Sequence, residues 1–125
     1  MAAACFFLHA SDFGEAVWTG RATQHIRQGL EGKITLKQLN EVWSVISPIS
    51  YVDRFAGRDL GHLIVTATED EVLLPHLTER IVEAYRQNRI HYTKKSYRCG
   101  HYTLAIMPYK LYALAALLKL LKESL

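Results

Sequence analysis

The stretch from Gly61 to His101 admits few architectures. It opens with the apolar run Leu63-Ile64-Val65 and passes into Thr66-Ala67-Thr68-Glu69-Asp70-Glu71. It then crosses an amphipathic segment, Pro75 to Gln87, and a second β-rich run, Ile90 to Tyr97, and ends at Cys99-Gly100-His101-Tyr102. Strand, acidic loop, helix, strand and histidine loop follow one another without a gap. Strands joined through a helix pair in parallel, because the crossover returns the chain to the same end of the sheet. A carboxylate and an imidazole therefore both fall just past the C-terminal end of a strand. In open parallel sheets, ligands and chemistry collect at those ends.

The flanking sequence fits the same plan. Ala2 to Leu8 is a continuous apolar run closed by His9-Ala10-Ser11-Asp12-Phe13-Gly14, which suits a strand buried on both faces. Ala22 to Leu30 predicts a short helix with Thr19 or Thr23 as its cap. Thr35 to Ile46 predicts a better one: Thr35 with Gln38 matches a capping box, and Leu36, Leu39, Val42, Trp43 and Ile46 recur on one face. Ser47-Pro48 stops it, and Ser50 to Arg58 reads as a loop or single turn around Tyr51, Val52 and Phe55. Pro75 suits the first turn of a helix whose apolar stripe is Leu77, Ile81, Val82 and Tyr85. Ile90 to Tyr97 alternates loosely, as an edge strand does. Pro108 opens a last helix, running to about Glu123, with a packing face at Leu111, Leu114, Ala115, Leu118 and Leu121. The order is β, two helices, β, α, β, α. This predicts an α/β fold, a small three-stranded, mostly parallel sheet with helices packed on it.

At 125 residues the chain makes one domain, residues 1–125. Half its residues are hydrophobic and 22% are charged, as in ordinary globular proteins. A formal charge of +3 is too small to imply a nucleic-acid partner, and the basic cluster Arg86, Arg89, Lys94, Lys95 and Arg98 reads as a solvated face. Cys5 and Cys99 form no CxxC pair, which suits small buried fillers in a reducing, cytoplasmic setting. The apolar start is too short for a signal-peptide core, and Leu111 to Leu121 falls short of the roughly 20 apolar residues that span a bilayer. The histidines outside the Gly-His loop (His9, His25, His62, His76 and His91) show no metal-ligand spacing, so neither a metal nor a cofactor is expected.

Leu63-Ile64-Val65-Thr66, then Asp70, then Val72-Leu73-Leu74-Pro75, and finally Cys99-Gly100-His101-Tyr102-Thr103 before a terminal helix, resemble the C-terminal end of the α/β-hydrolase fold. The resemblance covers the whole chain but only the second half of the family's domain. It implies that Ala2 to Leu8 is the preceding strand and that residues 11–57 form a lid-like helical insertion. It also implies a triad in the order serine, acid, histidine, with His101 as general base and Asp70 as its orienting acid. Glu69 and Glu71 compete with Asp70, and so does Asp12, because some members carry the acid after the earlier strand.

The nucleophile elbow G-x-S-x-G is nowhere in the sequence. Ser11 lacks the glycine that gives an elbow room, and Cys99 lies beside His101 without needing to face it. The expectation is thus the C-terminal portion of a serine hydrolase-like protein acting on esters, thioesters or amides. It would carry acid and base but no serine, and be inactive alone. Phe13, Trp18 and Trp43 are candidate substrate-binding residues beneath the lid, or simply the insertion's core. The alternative is a non-catalytic interaction module, a homodimer or one half of a two-chain protein, joined through the open edge of the first strand.

Overall fold

A computed structural model of the chain describes the backbone of residues 2–7 and 12–124, and side chains from 12 to 123. Ser11 and His9, and the side chain of Cys5, lie outside the described residues. Strand β1 (Ala2–Phe7) is followed by helices α1 (Phe13–Thr19), α2 (Gln24–Leu30) and α3 (Leu36–Trp43) and a 3-10 helix, Pro48–Phe55. Then come β2 (Leu60–Ala67), α4 (Pro75–Gln87), β3 (Thr93–Tyr97), a short 3-10 turn at Tyr102–Ala105, and α5 (Tyr109–Ser124). The three strands form one sheet in chain order, and both pairings are parallel. The expected α/β architecture is therefore present, with helices packed on a small parallel sheet.

β2 is central because it can bury both faces. Leu63, Val65 and Ala67 pack into a core completed by Cys99, Leu104, Ala113 and Leu120 under α5. Ile64, on the opposite face, joins Val52, Ile81, Val82, Tyr85 and Ile90 under α4 and the 3-10 helix. The α4 stripe falls as its spacing predicts, with Leu77, Ile81, Val82 and Tyr85 all buried. Each such side chain contributes roughly 1.5–3 kcal/mol on leaving water. β3 is the outer strand, and most of its side chains are exposed or half-buried.

Three expectations are corrected. Helix α1 was not foreseen. It starts at Asp12, whose carboxylate accepts from the Glu15 N–H at 3.1 Å, an N-cap hidden by the glycines at both ends of so short a helix. α3 has its capping box at Thr35 and Gln38, but only Leu39 of its stripe is buried, and Val42 and Ile46 are 67% and 56% exposed. The α5 face is rotated from the predicted one: Ala113 and Leu120 are buried with Tyr109, Ala116 and Leu117 beside them, whereas Leu111, Leu114, Ala115, Leu118 and Leu121 face outward.

Helices α1 and α3 meet at a glycine. A Cβ on Gly14 would stand 3.2 Å from the Asn40 Cα and collide with its side-chain oxygen, so the close approach needs a residue without a side chain. Buried Ser47 ties the same pair: its hydroxyl accepts from the Phe13 N–H at 3.1 Å and donates to the Trp43 carbonyl at 2.9 Å. No helix among the described residues is long and apolar enough to cross a membrane.

Candidate active site

The β2–β3 register runs from Leu63 opposite Thr93 to Ala67 opposite Tyr97. The ladder then continues past both strand ends. Thr68 N–H donates to the Tyr97 carbonyl at 2.9 Å, and Glu69 N–H to the Cys99 carbonyl at 3.1 Å. One residue further on each side stand Asp70 and the Gly100-His101 step. Parallel pairing thus carries the acid loop and the histidine loop side by side, which explains why they meet.

Asp70 is buried and fully engaged. Its Oδ1 accepts from the N–H groups of Val72 at 2.9 Å and Leu73 at 2.7 Å, a turn in which an aspartate bonds its own downstream backbone. Its Oδ2 lies 2.9 Å from the Nδ1 of His101. A carboxylate only accepts, so Nδ1 carries a proton and Nε2 is the ring nitrogen left to exchange one. The side chains of His101 and Asp70 are 15% and 6% exposed, so the pair is largely screened from water while part of the imidazole remains accessible. This arrangement can orient an imidazole in one tautomer and hold it as a proton acceptor.

The rivals to Asp70 are placed elsewhere. Glu69 ion-pairs with Arg98 at 2.9 Å, Glu71 is exposed, and Asp12 caps α1. Cys99 is buried in the core, and burial, with the nearby Glu69 and Asp70 carboxylates, pushes its thiol up from the ordinary value. That opposes the thiolate a nucleophile needs. Among the described residues, the His101 ring hydrogen-bonds to Asp70, and no group of three metal-ligating side chains converges.

Two hollows flank His101. One, about 410 Å³, is lined by Phe13, Ala16, Val17, Val72 and Leu73 with the His101 ring. The other, about 240 Å³, is bordered by Glu69, Glu71, Gly100, Tyr102 and Thr103. Phe13 therefore stands beside His101, whereas Trp18 and Trp43 line neither hollow. Trp18 offers its carbonyl to Arg27 at 2.9 Å, and Trp43 offers its carbonyl to Ser47. Sequence reasoning missed the Val72 and Leu73 N–H groups and the α1 wall. An aspartate two residues before three apolar residues and a proline was the available signal for the first.

A second buried group was also missed. His62, on the α4 face of β2, is 2% exposed. Its Nδ1 lies 3.2 Å from the Tyr85 hydroxyl, and its ring packs edge-on against Phe55 and Tyr85. Burial lowers its pKa from the ordinary 6.5 and raises that of Tyr85 to about 12.

The fold and this pair define a mixed α/β protein with an aspartate–histidine couple past the ends of two adjacent parallel strands. The chain is similar in fold to a Mycobacterium tuberculosis puromycin-hydrolyzing peptidase, with a TM-score of 0.60 and 21% identity, over 81% of this chain and 15% of that chain. The likeness is one of fold, and this chain spans about 15% of that chain's length. No protein-family model and no curated protein matches the sequence.

Proposed function

We propose that the chain is the acid-and-base portion of a serine hydrolase-like protein of the α/β-hydrolase kind, acting on an ester, thioester or amide. The single observation that carries this reading is the Asp70–His101 bond at 2.9 Å, with Asp70 pinned by two backbone N–H groups. Fold likeness to a peptidase supports it. In this reading His101 Nε2 removes the proton of a serine hydroxyl supplied by another segment or chain. Asp70 holds the tautomer and stabilises the imidazolium that forms. In this reading helices α1 to α3 belong to the lid-like insertion. The test uses the longest natural polypeptide or complex containing this sequence, assayed by fluorophosphonate labelling and p-nitrophenyl ester turnover. His101→Ala should reduce turnover by about three to four orders of magnitude while leaving thermal unfolding unchanged. Unchanged turnover overturns the reading.

A second reading, a non-catalytic interaction module, is favoured by one observation. The outer α5 stripe is apolar, with Leu111, Leu114 and Leu118 each 45–50% exposed. The same helix packs against β1, which pairs only with β2 among the described residues. Exposed apolar stripes and unpaired strand edges are both surfaces that recruit another chain. Sedimentation over a hundredfold concentration range separates the readings: a monomer throughout removes self-association.

A further inference from the structure

The larger hollow beside His101 has a feature that the acid–base pair does not require. Its floor is made by Val72 and Leu73, whose backbone N–H groups are the two that hold Asp70 Oδ1, at 2.9 and 2.7 Å. The same two residues thus tie the acid through their backbone and line the hollow. The opposite wall is α1, with Phe13, Ala16 and Val17. Ala16 and Leu73 are 3% and 8% exposed and share a core cluster with Leu77, so both walls rest on packed residues. The one hydroxyl on the lining, Thr23, is already spent on the carbonyls of Val17 at 2.8 Å and Gly20 at 3.1 Å. What remains is an apolar hollow of about 410 Å³, within the range of roughly 300–1,000 Å³ typical of small-molecule sites, with a single functional ring at its end.

We infer that this hollow is a specificity pocket for an apolar side group, a benzyl or branched aliphatic group, of the compound presented to His101. That the compound is an acyl substrate rests on the hydrolase reading above; the binding itself does not. A polar or charged group would lose its hydration there without gaining a partner, which is the physical basis of the discrimination. Occupancy presses on Val72 and Leu73 and is therefore felt at Asp70 and at the His101 Nδ1–H.

The test is an NMR titration of the full chain with N-acetylphenylalanine amide and, separately, N-acetylglycine amide. The phenylalanine compound should shift the methyl resonances of Val17, Val72 and Leu73 and the His101 ring resonances together and saturably, with the glycine compound at least tenfold weaker. Val17→Phe, at a half-buried position, should fill the hollow and weaken the phenylalanine compound at least tenfold while leaving the rest of the spectrum in place. Val17→Ala should retain it. No saturable shift, equal response to both compounds, or shifts confined to other surfaces each overturn the pocket. If the hydrolase reading alone is wrong, this binding persists while His101→Ala leaves turnover untouched. If the pocket alone is wrong, His101→Ala abolishes turnover but phenylalanine and glycine esters are turned over alike.

Discussion

The backbone N–H of Glu69 donates to the carbonyl of Cys99 at 3.1 Å, one rung beyond the last strand pair, and this rung sets Asp70 beside His101. The acid and base are placed by backbone pairing, and their side chains only complete the contact. That relation makes the site separable into parts that mutations can address one at a time.

Asp70 performs two tasks that different replacements divide. Asp70→Asn keeps a carbonyl oxygen for the Val72 and Leu73 N–H groups, so stability should hold close to wild type. Its amide then donates to His101, which forces the proton from Nδ1 to Nε2. Long-range ¹H–¹⁵N spectra of the imidazole should report that tautomer change. Asp70→Ala removes both acceptors and should cost roughly 1–3 kcal/mol for each buried donor left unpaired, read from urea unfolding. Equal stability of the two variants would contradict the double role.

His62 makes stability depend on pH with a defined sign. Its folded pKa is lowered from 6.5 by burial, so the folded chain keeps this ring neutral where the unfolded chain protonates it. Its contribution is complete above about pH 6.5 and is lost as pH falls below that value, levelling off once the lowered folded value is passed. The urea midpoint of wild type should therefore drop between pH 7 and 5 by more than that of His62→Leu. A parallel pair of profiles would remove His62 as the cause.

Two glycines should respond unequally to alanine. At Gly14 the added methyl meets Asn40, forcing α1 from α3, and overpacking of this kind costs about 1–3 kcal/mol. At Gly100 the nearest atom is the Glu69 carbonyl oxygen at 3.6 Å, an ordinary contact. Gly100→Ala should stay within about 0.5 kcal/mol of wild type in thermal unfolding.

The facing of α5 is open to a direct check. Leu120→Ala opens the core under β2 and should cost about 2–5 kcal/mol, whereas Leu118→Ala, at a half-exposed position, should change stability little. A larger loss at Leu118 would mean that the outer stripe is covered in solution.

That helix also shows where sequence reasoning stopped. Its residues are apolar on nearly every side, so the three- and four-residue spacing selects the stripe Leu111, Leu114, Leu118, Leu121 as readily as the buried Ala113, Leu120 set. α4 was legible because charged residues fill its other face. β2 was legible because a continuous apolar run bounded by glycine has few alternatives to a central strand. Asp70 and His101 were legible as positions past strand ends, and their contact follows from the parallel register. The apolar hollow was not, since it needs α1 against the Val72-Leu73 turn, and α1 carries no apolar period of useful length.

β2, α4 and β3 are consecutive, so acid and base stand 31 residues apart with nothing inserted between them. Joining them closes a loop of modest length, and the entropy of that closure grows only with the logarithm of its size. The contact therefore belongs to the local part of the folding problem, where pairing is fast. A nick in the connection between α2 and α3 would leave both groups on one fragment, still bridged by the helix that separates them.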